Sequence, residues 1–257
     1  AFAMALADEA RAMLASAAAA RPEVEVKPDR SFVTELDRAI ELRLREMIAD
    51  RYPNHGVIGE EGEAPVVREL TWVLDPIDGT AAFIAGMPVY GTLIALIEGE
   101  SPVIGVIDMP STSERWLGVA GRPTQHDGRT VATRACPALD AAILSASNPD
   151  FFSAEELPAL DAMRAATAWR IYGGACRAYG LLASGRTDLA IDTRLKLWDY
   201  APFVPIIEGA GGIITDWQGR RLTMQSGPQI LAAGDPARHR EALALVREAL
   251  AGRGRGE

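Results

Sequence analysis

Thr71-Trp72-Val73-Leu74-Asp75-Pro76-Ile77-Asp78-Gly79-Thr80 is the stretch on which the reading of the fold turns. Trp72, Val73 and Leu74 form a short apolar run of the kind buried as a strand. Asp75 ends that run, so its carboxylate emerges at the rim of a sheet, where functional loops sit. In an uninterrupted strand, positions three apart face opposite sides. Pro76 and Gly79 bend the chain and Asp-Gly is a strong turn signal, so Asp75 and Asp78 can point into one space. Gly79 and Thr80 then open a helix, whose free N–H groups attract an anion. Two carboxylates beside an anion site call for a bridging cation, and hard oxygen donors suit magnesium or manganese. Taken alone, the motif is also an ordinary turn with an Asp cap.

Upstream of this stretch, residues 1–20 read as an amphipathic helix ending near Arg21-Pro22. A polar segment holding Lys27, Pro28, Asp29 and Arg30 reads as a loop. Val33, Leu36, Ile40, Leu44, Met47 and Ile48 recur at helical spacing, with charged residues on the other face, and Tyr52-Pro53-Asn54 stops that helix. Residues 57–62 read as a short strand running into a turn that carries Glu60 and Glu61. Downstream, residues 90–97, 103–108 and 114–119 read as strands.

The polar, turn-rich residues 121–129 mark a boundary, dividing the chain into an α+β half (1–125) and an α/β half (126–257). In the second half, strands (142–147, 169–172, 188–192, 213–217, 229–233) alternate with helices (154–164, 176–184, 198–209, 236–251), the pattern of an α/β fold. Asp199 lies in Leu197-Trp198-Asp199-Tyr200 at a helix start, a place where the helix dipole also favours an ordinary acid.

Composition narrows the function. Hydrophobic residues make up 48% of the 257 and charged residues 24%, as in a globular protein. Asp and Glu number 35 against 26 Lys and Arg, a net charge of -9. Without a basic stripe the chain does not fit a nucleic-acid binder. No run approaches the length of about 20 apolar residues needed to span a bilayer. Two cysteines, Cys136 and Cys176, imply no disulfide framework and fit a reducing cytoplasm.

Together the blocks resemble the inositol monophosphatase family of magnesium-dependent, lithium-sensitive phosphatases. The matches are Val33-Thr34-Glu35-Leu36-Asp37, Gly59-Glu60-Glu61, Trp72 to Thr80, and Trp198-Asp199 followed by Glu208-Gly209-Ala210-Gly211-Gly212. The resemblance implies a layered α-β-α-β-α sandwich, a homodimer, and two to three magnesium ions replaceable by manganese. It implies Glu60, Asp75, Asp78, Asp199 and the Ile77 carbonyl as metal ligands. Thr80 with Glu60 would orient the attacking water, and Asp37 would partner Thr80. The Gly79 and Thr80 amides would hold the phosphate, and the Lys27 loop would close over the third metal. The Asp-x-Asp-Gly-Thr signature of phosphatases that form a phospho-aspartate does not fit, because Asp75 and Asp78 are three apart. A catalytically silent relative would lack a ligand, and none is missing.

For the substrate, Gly173-Gly174, Cys176, Tyr179 and residues 204–209 are similar to the histidinol-phosphate phosphatase branch. Histidinol phosphate carries a cation, so its pocket needs a carboxylate beyond the metals, and Asp192 is the candidate. Gly174, Ala175, Arg177, Asp192 and Asp199 are expected around the substrate. Ala175 stands where that branch carries an Asp, and Arg177 where a Tyr is more usual. Both changes favour a neutral or anionic ester such as an inositol phosphate if Arg177 faces the pocket.

Overall fold

The computed structural model describes residues 1–17, 24–26, 32–62 and 64–252. Helix α1 (Phe2–Ala17) is followed by strands β1 (Val24–Val26) and β2 (Phe32–Thr34), paired antiparallel, and by helix α2 (Glu35–Arg51). Thr34 starts α2 as its N-cap. Its side chain accepts the Asp37 N–H, and the Asp37 carboxylate accepts the Thr34 N–H at 2.8 Å, a reciprocal capping box. Val33 therefore belongs to β2, although its spacing predicts helix.

The first sheet has seven strands that neighbour one another in chain order: β3 (Gly56–Gly59), β4 (Leu70–Asp78), β5 (Gly91–Glu98), β6 (Ser101–Met109), β7 (Glu114–Val119), β8 (Gln125–His126) and β9 (Arg129–Thr130). Short helix α3 (Thr80–Ala85) leaves the end of β4. Only β3–β4 is parallel within this sheet. The second half supplies β10 (Ile143–Ala146), α4 (Leu157–Ala166), β11 (Trp169–Tyr172), α5 (Arg177–Ala183), β12 (Leu189–Asp192), α6 (Leu197–Tyr200), α7 (Phe203–Gly209), β13 (Ile213–Thr215), β14 (Ile230–Ala233) and α8 (Pro236–Gly252). Its sheet runs β11-β10-β12-β14-β13, with β11, β10 and β12 parallel and the other pairs antiparallel.

Period-two alternation sorts the strand side chains into distinct cores and so builds the layers. Trp72 and Leu74 of β4 and Ile94 of β5 pack with Leu6, Ala10 and Leu14 of α1 and Ile40, Leu44 and Ile48 of α2. Val73, Leu93 and Ala95, from the opposite face, pack with Tyr179, Leu182, Phe203, Val204 and Ile206 and, beyond them, with Ala190, Ile230 and Ala232 of the second sheet. Leu144, Leu189, Ile191 and Leu231 face Leu160 and Met163 of α4 and Ala242 and Val246 of α8. The order is thus α1/α2, first sheet, α5–α7, second sheet, α4/α8: the five-layer sandwich expected.

Three expectations differ in detail. The helix read over 198–209 is two helices, α6 and α7, broken at Ala201-Pro202. Proline lacks the N–H that a continuous helix needs and clashes with the preceding turn. Residues 121–129, read as irregular, hold the β8–β9 hairpin, closed by Asp127 (φ 48°) and Gly128 (φ 75°) in the left-handed region typical of such two-residue loops. The buried face of α2 also carries two acids, Asp37 and Glu41, beside Ile40, Leu44 and Ile48. The expected Lys27 loop lies outside the described residues. None of the described helices is long and apolar enough to cross a membrane.

Candidate active site

Strand β4 does not stop at Asp75. It continues through Asp78 with a register shift: Asp75 pairs Leu93 and Asp78 pairs Gly91, so three steps on β4 span two on β5. The extra residue is a β-bulge, and it reverses the alternation. Ile77 accordingly joins the core of Trp72 and Leu74, which leaves Asp78 on the face of Val73 and Asp75. Pro76 needs no ladder partner for its nitrogen, and its carbonyl accepts the Thr92 hydroxyl at 2.8 Å.

Glu60 follows β3, and its N–H donates to the Leu74 carbonyl at 3.2 Å, one residue before Asp75. Asp199 enters from the middle helix layer on α6, and one of its oxygens accepts the Lys196 N–H at 2.6 Å. Ligand atoms of Asp75, Asp78 and Asp199 lie within 4.8 Å of one another. At that separation each ionised pair repels by on the order of 3 kcal/mol at an effective dielectric near 20. Burial, then Glu60, Asp78 and Asp199, push the Asp75 carboxyl well above the usual range. Burial and then Asp78 raise Asp199 strongly, against the pull of the Lys196 amide. Burial raises Asp78 while the Cys176 N–H, donating at 2.7 Å, opposes it. Asp75 Oδ1 is buried with no hydrogen-bond partner. A buried acceptor without a donor is costly. These hard oxygen donors fit a divalent cation of the magnesium type.

Around this cluster, the Thr80 hydroxyl donates to the Ile77 carbonyl at 3.0 Å, and Gly79 (φ 81°) turns the chain into α3. Asp37 is buried in the α2 cap. Gly174, Ala175 and Cys176 form the turn into α5, with Ala175 at φ 45°. Asp192 ends β12 with both oxygens engaged, by the Ser147 N–H at 2.6 Å and the Tyr179 hydroxyl at 2.9 Å. Burial pushes its carboxyl up to about 6. Arg177 turns away from the cluster to Glu114, donating at 2.7 and 3.3 Å. Burial pushes the Cys176 thiol well up, with Asp78 adding to it, so this thiol stays protonated and is a poor nucleophile.

The Cys176 amide was invisible in the sequence because a backbone donor has no residue signature. Glu41 was also missed, although an acid inside the apolar stripe of α2 was its available signal.

A sequence model of the inositol monophosphatase family matches residues 1–251. The chain belongs to the inositol monophosphatase family. Its relatives include the chloroplastic bifunctional phosphatase IMPL2 of Arabidopsis thaliana, 43% identical over 84% of this chain and 66% of that protein. A histidinol-phosphatase of Chlorobaculum parvum is 34% identical over 91% of this chain and 88% of its own length. An inositol monophosphatase structure from Zymomonas mobilis superposes with a TM-score of 0.86 at 41% identity, covering 95% of this chain and 96% of that one. As a member of this family of metal-dependent phosphatases, the chain is a phosphoric monoester hydrolase of small phosphate monoesters.

Proposed function

We propose that the chain hydrolyses histidinol phosphate to histidinol, with magnesium held by Glu60, Asp75, Asp78, Asp199 and the Ile77 carbonyl. The observation that carries the metal assignment is the buried, unpartnered Asp75 Oδ1 among three crowded carboxylates. Bound there, two to three magnesium ions, or manganese in their place, would neutralise the phosphate and acidify water. The protein's own groups do the rest. Glu60 and Thr80 orient the attacking water, with Asp37 as the partner of Thr80. The Gly79 and Thr80 amides, at the start of α3, bind phosphate oxygens. Gly174 and Ala175 line the ester, and Asp192 offers its charge to a cationic leaving group. Arg177 is held by Glu114 and is left out of the pocket.

Residues 1–125 would carry most of the ligands, and 126–257 would complete the site with Asp199. Support for histidinol phosphate comes from the Gly173-Gly174, Cys176 and Tyr179 pattern and from the Chlorobaculum relative. Inositol 1-phosphate is the second reading. It is favoured by Ala175, which leaves the rim without the expected acid, and by the Zymomonas neighbour. We further infer a lithium-sensitive cytoplasmic homodimer. Edge strand β11 supports self-association, with Trp169 67% exposed beside exposed Ile171 and Tyr172. Light scattering that returns a monomer counts against the dimer.

The substrate test is phosphate release with magnesium on histidinol phosphate, inositol 1-phosphate, fructose 1,6-bisphosphate and adenosine 3′,5′-bisphosphate. The proposal expects histidinol phosphate to lead by at least about tenfold, or ~1.4 kcal/mol in the transition state. A lead for inositol 1-phosphate selects the second reading.

A further inference from the structure

Glu41 is a carboxylate in the wrong place for a solvated helix residue. Its side chain is 1% exposed, on the face of α2 that carries Ile40, Leu44 and Ile48. Burying a charge is expensive unless it is paired and hydrogen-bonded. Here one oxygen accepts the Arg45 Nε–H at 2.7 Å, and the other accepts the Glu61 N–H at 2.7 Å. The turn that holds Glu60 is wrapped around this carboxylate. A Cβ placed on Gly59 would collide with it, and so would one on Gly62. The residues on both sides of Glu60-Glu61 are therefore glycines in contact with one acid.

The consequence falls on Glu60. Its own N–H is tied to Leu74 of β4, and the next N–H along the chain is tied to α2 through Glu41. Two anchors on successive amides fix the backbone that carries the Glu60 side chain, whose charge is among the causes that raise the Asp75 carboxyl. A ligand held this way loses little freedom on binding a cation, which is how supporting contacts raise metal affinity.

We propose that Glu41 is a positioning residue that sets the Glu60 carboxylate against the Asp75–Asp78–Asp199 cluster and so tunes its affinity for a divalent cation. This rests on the reading of Glu60 as a metal ligand. Glutamine at position 41 puts an NH2 donor where one of the two carboxylate oxygens stands, so either the Arg45 Nε–H or the Glu61 N–H faces a donor in place of its acceptor. Alanine at position 62 pushes on the same carboxylate from the turn and leaves its charge in place.

The test is a titration of the chelator-treated full chain with manganese, following free Mn2+ by electron paramagnetic resonance. It is run on wild type, Glu41→Gln, Gly62→Ala and Glu60→Gln, with melting curves and magnesium-dependent phosphate release beside it. The expected result is a Kd for Mn2+ raised about tenfold in Glu41→Gln and severalfold in Gly62→Ala, with kcat at saturating magnesium within about threefold of wild type. Gly62→Ala keeps the test decisive if Glu41→Gln does not fold. Unchanged Mn2+ affinity in a folded variant, with or without a lower melting temperature, makes the role of Glu41 merely structural and overturns the proposal. If the wild type binds no Mn2+, or Glu60→Gln binds it as tightly as wild type, the reading of Glu60 fails and the proposal falls with it.

Discussion

Asp75 and Asp78, three residues apart on β4, present their carboxylates to the same side of the sheet because one residue between them has no counterpart on β5. A regular strand would send one of them into the α1/α2 core. The bulge brings both to the middle helix layer, where Asp199 arrives on α6 and the Cys176 amide closes on Asp78. The three carboxylates thus come together only because β4 of the first sheet meets α6 of the middle helix layer.

The charge of Asp78 can be separated from its structural contact. Asn at this position keeps an acceptor for the Cys176 N–H but loses the negative charge. Asp78→Asn is expected to fold, with a melting temperature at or above that of the chelated wild type, and to lose on the order of 10³-fold in kcat/KM. Near-normal activity in the folded variant contradicts the assignment.

Stability of the metal-free protein has a predicted pH dependence. Asp75, Asp78 and Asp199 have carboxyls raised in the folded state, and Asp192 is raised from 3.8 to about 6. A raised carboxyl contributes stability that is complete below its unfolded value and lost as pH rises through its folded value. The chelated protein is therefore expected to melt at progressively lower temperature as pH rises from about 4 through the Asp192 value of about 6 and beyond it, where the more strongly raised Asp75 and Asp199 ionise. Magnesium should restore most of the loss at pH 8, because it binds the ionised cluster of the folded state. A chelated protein more stable at pH 8 than at pH 5 would run against this.

Arg177 donates two hydrogen bonds to Glu114 in a part-exposed pair, an interaction worth up to about 1 kcal/mol. Arg177→Ala is expected to lower stability by no more than that. The ratio of kcat/KM for histidinol phosphate to that for inositol 1-phosphate should stay within about twofold of wild type. A shift of tenfold would return Arg177 to the pocket.

Ala175 sits at φ 45°, a left-handed conformation that Asp and Asn tolerate better than other side chains. Ala175→Asp should therefore fold, and it adds a carboxylate at the rim. The same ratio is expected to move toward histidinol phosphate by about tenfold, the worth of one added charged contact. No movement would place this position outside the leaving-group pocket.

Much of this was legible in the sequence because it is local. The apolar run before Asp75, the Asp78-Gly79 turn and the later strand–helix alternation each carry their own pattern, and the structure has β4, α3 and the second sheet at those places. What escaped depends on chain segments far apart. The bulge is defined by pairing with β5, which no spacing in residues 71–80 reveals. The Cys176 amide reaches Asp78 across 98 positions, and Glu41 reaches the Glu61 amide across 20. The break between α6 and α7 has a local signature in Pro202, which a helix read across residues 198–209 passes over.

The central claim is that the Glu60–Asp75–Asp78–Asp199 cluster works with a divalent cation. The most direct measurement is phosphate release from histidinol phosphate and inositol 1-phosphate by the wild type after exhaustive chelation, before and after magnesium is added back. The account predicts a fall of at least about 10³-fold on chelation and full recovery with magnesium. Hydrolysis that continues unchanged in the chelated protein, or none with either magnesium or manganese, would contradict it.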